Sequence, residues 1–289
     1  MMYCVRHRSI VTYASPIADA EFNLRLCPID WPGQTLQGAK LAFAPLPRHQ
    51  RQSEGPYLTK VTSIGFTEPL ASLEVTSEFQ IEVAPRDLPK GSPSIQVVRD
   101  MVLTSTDMSD RSPVPYLFAS RIAGAEPRIA EWAAGVAPAD GNLLDTAIAL
   151  NAAVHDEFSY RPGTTTSTTT PARAFAERKG VCQDFAHVLI VALRSLGAPA
   201  AYVSGYLRTL PPPGGVKLVG ADAMHAWVAV WCGEDIGWIG LDPTNNCIAR
   251  DGHIVVAMGR DYADVSPIDG VFVGVAPQTM KVMVDVSAI

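Results

Sequence analysis

The stretch GVCQDFAHVLIVALRSLGAPAAYVSGYL, residues 180–207, decides the fold. Its first part predicts a helix that begins at Cys182, and Gly197 is a residue type that commonly ends helices. The remaining residues, 200–207, are typical of a buried strand. The helix prediction depends on apolar side chains that recur along one face, namely Phe185, Leu189, Ala192, Leu193 and Leu196.

Two more strand-like runs follow in the chain. MHAWVAVW, residues 224–231, has His225 near its start, and GWIGLDPTN, residues 237–245, reaches Asp242 just before Pro243. A proline cannot continue a hydrogen-bonded ladder, so we expect the second strand to end at Asp242. A hairpin of these two strands would bring His225 and Asp242 side by side.

Cys182 is the candidate nucleophile. A cysteine attacks as a thiolate, and a helix N-terminus or a cationic neighbour stabilises that charged form. The unpaired N–H groups of the first helical turn, including that of Cys182, could also donate to the oxyanion of a tetrahedral intermediate. Gln183 and Asp184 are assigned to the support of this oxyanion site, and Asp184 is also an acid favoured by the helix dipole.

A thiolate needs a base, and an imidazole needs an acceptor that orients it; we predict His225 and Asp242 for these roles. Other histidines fit less well. His187 lies about 140° around the predicted helix from Cys182, whereas helical neighbours are three or four residues apart. His155 is interpreted as a solvated or capping histidine. No group of partners is apparent for the remaining histidines, which are His7, His49 and His253.

The N-terminal part has a different pattern. Residues 73–83 alternate between apolar and polar side chains with the period of a half-buried strand. Shorter runs of this kind precede them, so we predict an all-β N-terminal domain over residues 1–95 and a catalytic core with C-terminal strands over residues 96–289. The final alternating run, residues 280–286, could join either sheet. Loops at residues 164–170 and 210–219 are expected to rim the cleft.

Composition narrows the function classes. The net charge is −6, which argues against nucleic acid or an anionic membrane as partner. The N-terminal residues lack the apolar segment of a secretory signal, so we expect a cytoplasmic protein. The five cysteines include no CxxC pair and suit neither a disulfide framework nor a zinc site. We predict no metal and no cofactor. Edge strands leave homo-oligomerisation open.

The three runs quoted above resemble, in order and spacing, the core motifs of the transglutaminase-like superfamily of papain-like cysteine enzymes. More specifically, the arrangement resembles that of the bacterial two-domain members. The N-terminal segments YCVRHRSIVTYASPI and LEVTSEFQIEV and the C-terminal segment GRDYADVSPIDGVFVG extend the resemblance over nearly the whole chain. It implies an α+β fold, with an N-terminal antiparallel β-sandwich-like domain before a papain-like core whose nucleophile helix packs on an antiparallel sheet.

The resemblance also implies a Cys182–His225–Asp242 triad that acts through a thioester. Animal transglutaminases have a tryptophan directly after the nucleophile, where this chain has Gln183, and no calcium loop is apparent. We therefore expect hydrolysis of an amide or peptide bond in a peptide, a protein or a small amide substrate. Two alternatives stay open: amine transfer to protein glutamine, and a non-catalytic binding or scaffold protein that retains the fold.

Overall fold

A computed structural model describes residues 1–84, 87–208 and 222–289. The N-terminal region contains five strands: β1 (Met2–Leu24), β2 (Gln34–Ala44), β3 (His49–Gly55), β4 (Thr59–Phe66) and β5 (Leu70–Val83). The rest of the described chain contains α1 (Ile95–Leu103), a 3₁₀ turn (Val114–Leu117), α2 (Pro127–Val136), α3 (Leu143–Glu157), β6 (Ser159–Tyr160), α4 (Pro171–Glu177), β7 (Lys179–Gly180), α5 (Cys182–Ser195), β8 (Ala200–Leu207), β9 (Met224–Trp231), β10 (Trp238–Asp242), β11 (Cys247–Ile248), β12 (His253–Gly259), α6 (Tyr262–Val265), β13 (Ile268–Val273) and β14 (Gln278–Ala288).

The long first strand organises the N-terminal region. The first half of β1 pairs with β5 and β14, and its second half pairs with β4 and β13, all antiparallel. The register of its pairing with β5 shifts between Thr12 and Ile17, where the strand passes from one set of partners to the other. Buried and exposed side chains alternate along β5, which confirms the strand predicted at residues 73–83.

The chain returns to this region at its end. β14 pairs with β1 from Tyr3↔Ala288 to Tyr13↔Gln278, so the final alternating run joins the N-terminal sheet. The C-terminal strands, predicted as part of the catalytic core, include β13 and β14, and both of these pair with β1. The domain boundary near residue 95 stays a prediction.

The second region is an antiparallel five-stranded sheet in the order β11-β10-β9-β8-β12, with α5 packed on β8 and β9. Leu189, Ile190 and Leu193 of this helix are fully buried. Burial of each such side chain contributes about 1.5–3 kcal/mol. Together with the N-terminal sheet, this arrangement is the expected α+β fold.

The five-stranded sheet is strongly curled. β11 and β12 lie at its opposite edges, yet only residues 249–252 connect them. In a flat sheet, four strand spacings would separate the edges by about 19 Å. The five residue steps from Ile248 to His253 span at most about 18 Å when fully extended, and a turn shortens them because His253 N–H donates to the Arg250 carbonyl. The sheet edges must therefore approach each other.

The two regions share an apolar interface. Tyr206 of β8 and Ile254 of β12 pack with Val5 and Phe79 of the N-terminal sheet. The Tyr206 hydroxyl also forms a 2.9 Å hydrogen bond with Nδ1 of buried His7. The N-terminal strands therefore support one side of the five-stranded sheet.

Among the described residues, no helix is long and apolar enough to cross a membrane. The expectation that residues 210–219 rim the cleft concerns residues outside the described ranges.

Candidate active site

Cys182 is the first residue of α5 and is half-buried. Val181 precedes it in an extended conformation, and the Val181 N–H donates to the Asp184 carboxylate at 2.8 Å. Gly180 makes room for this contact, because a Cβ there would lie 2.5 Å from Asp184 Oδ2. The helix start that carries the thiol is thus held by a side chain of its own first turn.

Asp184 also anchors the loop at residues 164–170. Its Oδ2 accepts a 2.7 Å hydrogen bond from the Thr165 hydroxyl, and Gln183 Nε2 donates to the Ser167 carbonyl at 3.1 Å. Burial raises the pKa of Asp184, although the hydrogen bonds from Val181 and Thr165 oppose this shift. Both residues assigned to site support therefore fix the loop against the start of α5.

His225 and Asp242 meet across two adjacent strands. Val228 of β9 pairs with Leu241 of β10, so Asp242 projects on the same face as His225, in a diagonal position. His225 Nε2 donates to Asp242 Oδ2 at 2.8 Å, and the Asp242 side chain has no exposed surface. His225 also hydrogen-bonds with the Cys182 thiol, and this bond uses Nδ1 because Asp242 takes Nε2.

The surroundings favour a charged imidazole. Burial lowers the pKa of His225, but the hydrogen bonds with Asp242 and Cys182 outweigh it and raise the pKa from 6.5 to about 10. The Asp242 carboxyl shows the opposite balance, since hydrogen bonds from His225 and His253 hold its pKa well below its usual range despite burial. A cationic His225 at neutral pH stabilises negative charge on the adjacent sulfur.

Asp242 accepts further hydrogen bonds besides the one from His225. The backbone N–H groups of Thr244 and Asn245 donate to Oδ1 at 2.9 and 3.1 Å, and Asn245 Nδ2 donates to Oδ2 at 2.7 Å. His155 supports the same turn from α3, because its Nδ1 donates to the Thr244 carbonyl at 3.0 Å. His155 is exposed, in agreement with its interpretation as a solvated or capping histidine, and it also holds the turn after β10.

His253 was assigned no partners from the sequence, and this assignment is wrong. Its Nε2 lies 3.1 Å from Asp242 Oδ2. The curl of the sheet explains the contact, since it brings the start of β12 close to the end of β10. No local pattern in the sequence reports such curvature.

Further aromatic residues surround the thiol and the carboxylate. Trp227 stacks on His225 with 6.0 Å between ring centroids, and its indole is buried between Gly205 and Gly240. Tyr160 and Tyr202 lie near enough to Cys182 that negative charge there adds to the effect of burial and raises the pKa of both phenols. Sequence reasoning did not identify the two tyrosines.

His187 lies in the interior beside α6. Its ring packs against that of Tyr202 in a tilted arrangement, and its Nε2 accepts the Tyr262 N–H at 3.2 Å. The structure gives it no bond to Cys182 among the described residues. His187 therefore points into the protein interior and away from Cys182, in agreement with the separation of about 140° around the helix expected from the sequence.

His225, Asp242 and His253 also form a group whose candidate metal-binding atoms all lie within 4.8 Å of one another. Two imidazoles and one carboxylate are suitable zinc donors. Hydrogen bonds, however, already use the relevant atoms: both Nε2 atoms donate to Asp242 Oδ2, which also accepts from Asn245. We therefore interpret the group as a hydrogen-bond network.

Comparison with known proteins identifies the family. The family model of the transglutaminase-like superfamily matches residues 130–243, and that of the bacterial transglutaminase-like N-terminal region matches residues 3–82. An uncharacterized protein of Mycobacterium tuberculosis is 34% identical over 281 residues, which make up 93% of this chain and 87% of that protein. The chain belongs to the transglutaminase-like superfamily. The resemblance seen in the sequence is thereby confirmed.

Two other relatives extend the comparison of this transglutaminase-like chain. A crystal structure of a Cytophaga hutchinsonii protein has a TM-score of 0.75 at 21% identity, and the match covers 100% of this chain and 92% of that one. It shows that the whole fold is shared. A protein-glutamine gamma-glutamyltransferase of Pseudomonas aeruginosa is 37% identical over 93 residues, 31% of this chain and 14% of that protein.

Proposed function

We propose that this transglutaminase-like protein is a thiol-dependent acyl-transfer enzyme that hydrolyses amide or peptide bonds. The observation that carries the proposal is the chain of contacts from Cys182, at the start of α5, to His225 and on to the buried Asp242. Each group has the neighbour that its proposed role requires, which is a cationic imidazole for the thiolate and an anionic acceptor for the imidazole.

In the first half-reaction, the Cys182 sulfur attacks the carbonyl carbon of the amide, and the carbonyl π electrons move to oxygen. The backbone N–H groups of Cys182 and Gln183 are suitable donors for this oxyanion. The next two amides, of Asp184 and Phe185, already donate to the Val181 carbonyl. His225 then protonates the amine nitrogen as the C–N bond breaks, which leaves a thioester on Cys182.

In the second half-reaction, neutral His225 removes a proton from water while the water oxygen attacks the thioester carbonyl. The C–S bond breaks, the carboxylic acid leaves, and Cys182 and His225 regain the ion pair. Asp242 orients His225 by accepting the Nε2–H and stabilises the imidazolium. Hydrolysis needs no second organic substrate, in keeping with Gln183 at the position of the tryptophan of animal transglutaminases.

Amine transfer is the second candidate. The relative from Pseudomonas aeruginosa named for that activity matches 93 residues of this chain. In this alternative a primary amine replaces water in the second half-reaction, and all earlier steps stay the same. Adding a fluorescent primary amine to the assay separates the two outcomes, since transfer gives a labelled acyl product and hydrolysis gives a free acid.

The test compares wild type with Cys182→Ala over a library of peptides and small amides. Cys4→Ala is the matched control, because Cys4 is also a half-buried free cysteine but lies in β1. We expect Cys182→Ala to lose hydrolysis and amine transfer, while Cys4→Ala keeps the wild-type rate. Equal turnover by wild type and Cys182→Ala on every active substrate would overturn the proposal. Binding of library members without turnover by wild type would support the scaffold alternative.

A further inference from the structure

We propose that His253 is a positioning residue of this site, which holds Asp242 by a second hydrogen bond to Oδ2 and moderates the basicity of His225. This inference rests on the proposed function of the Cys182–His225–Asp242 group. It goes beyond that function because it assigns a task to a second histidine on the same carboxylate.

The hydrogen bonds of His253 define which ring nitrogen donates. The Arg250 N–H donates to Nδ1 at 3.4 Å, so Nδ1 is an acceptor and the proton is on Nε2. Nε2 therefore donates to Asp242 Oδ2, at 3.1 Å. His253 is 9% exposed, so solvent replaces this bond poorly if the imidazole is removed.

Packing fixes the direction of this donor. The Trp227 ring meets the His253 ring edge-on, with 5.2 Å between centroids, and the same indole stacks on His225. Gly205 gives the indole its space, since a Cβ there would lie 2.5 Å from the Trp227 ring. One rigid aromatic side chain thus spaces the two imidazoles that share Asp242.

The number of donors on Asp242 indicates what the second imidazole does. Oδ2 accepts from His225, His253 and Asn245, and Oδ1 accepts two backbone N–H groups. Each hydrogen bond partly neutralises the negative charge of the carboxylate and thereby weakens its attraction to the other donors. A donor at His253 therefore weakens the attraction between Asp242 and the His225 imidazolium, which helps His225 to release its proton to the leaving amine.

Loss of the His253 donor leaves more negative charge facing His225, so the pKa of His225 rises and the alkaline limb of the rate profile moves upward. We expect a shift of roughly 0.5–1 pH unit. We also expect kcat to fall on the order of tenfold, because the carboxylate is held less firmly and the proton is released less readily. KM should change little, since His253 contacts Asp242 rather than the thiol.

The experiment uses His253→Phe, which keeps an aromatic ring against Trp227 but has no donor. His253→Gln restores an amide N–H and should return part of kcat and move the limb back towards wild type. His7→Phe is the matched control, because it makes the same change at a buried histidine that contacts Ser9 and Tyr206. Readouts are kcat, KM and the pH dependence of Cys182 alkylation by iodoacetamide, followed on the Cys182 peptide by mass spectrometry.

Three results would overturn the inference. The first is an unchanged alkaline limb and kcat in both His253 variants. The second is a loss of kcat in His253→Phe that His7→Phe matches at equal loss of thermal stability, which would indicate a structural role alone. The third is stoichiometric zinc in purified wild type that is absent from His253→Phe. Failure of the proposed function is recognised separately, since in that case Cys182→Ala retains activity whatever the His253 variants do.

Discussion

Replacing Asp242 by asparagine tests the electrostatic reasoning most directly. The substitution keeps the shape of the side chain and removes its charge. Five hydrogen bonds reach the carboxylate, three at Oδ2 and two at Oδ1. Whichever way the new amide is oriented, its NH₂ group faces at least two donors that previously had an acceptor.

The size of the effect on stability follows from this count. A buried polar group left without its partner costs about 1–3 kcal/mol, so two such donors lower the free energy of unfolding by about 2–6 kcal/mol. The effect on the site follows from the lost charge. Hydrogen bonding to Asp242 is the largest contribution that raises the pKa of His225 to about 10, so this pKa falls in Asp242→Asn.

Alkylation at pH 6 measures the consequence without any substrate. We therefore expect iodoacetamide to modify Cys182 roughly tenfold or more slowly in Asp242→Asn than in wild type, because His225 carries less positive charge beside the sulfur. Mass spectrometry of the Cys182 peptide separates this reaction from that of the other cysteines.

Asp261→Asn is the matched control. Asp261 is also a buried carboxylate that accepts backbone N–H groups, from Ile122 and Ala263, but it does not contact His225. It should lose stability while the alkylation rate of Cys182 stays near wild type. Equal alkylation rates of Cys182 at pH 6 in wild type and folded Asp242→Asn would refute the argument that Asp242 maintains the ion pair.

Three further outcomes are expected. The wild-type rate of amide hydrolysis should fall as the pH rises through about 10. His225 must be protonated to release the amine, and its pKa is raised from 6.5 to about 10. A rate that already falls with rising pH below pH 8 would contradict this expectation. Acidification from pH 6.5 to 4 should reduce stability in urea by up to roughly 3 kcal/mol for each of His7 and His187. Burial lowers the pKa values of His7 and His187 to about 4, so only the unfolded chain takes up protons between pH 6.5 and 4. A free energy of unfolding that does not change over this pH range would contradict the expectation. Gly205→Ala should lower the free energy of unfolding by about 1–3 kcal/mol or more, because its Cβ would lie 2.1 Å from the Ile254 carbonyl oxygen. Gly38→Ala is the control, because a Cβ there would meet nothing within 4 Å, and it should not lower the free energy of unfolding. Equal denaturation midpoints of the two variants would disprove the crowding at Gly205.

Much of the fold follows from local patterns. The helix at Cys182 and the strand at residues 200–207 were predicted with their observed first residues, because side-chain periodicity and the terminating Gly197 are features of adjacent positions. The hairpin of β9 and β10 was predicted for the same reason. Prediction of the superfamily required the order and spacing of three motifs. The family models confirm that superfamily.

The sheet partner of the final strand was not readable from the sequence. Residues 280–286 alternate in the way that any half-buried strand does, and alternation does not specify which sheet buries the apolar face. The choice of β1 as partner depends on a free edge presented by residues more than 260 positions earlier in the chain.

The sequence by itself determined which residues are proposed to carry the chemistry: a thiol at a helix start, an imidazole and a carboxylate on neighbouring strands. Only the tertiary structure decided that the carboxylate serves two imidazoles. The helix start and the hairpin depend on steric and hydrogen-bonding preferences of residues close in the chain. The contact of His253 with Asp242 depends on the curvature of five strands, which packing of the whole sheet sets and no single segment encodes.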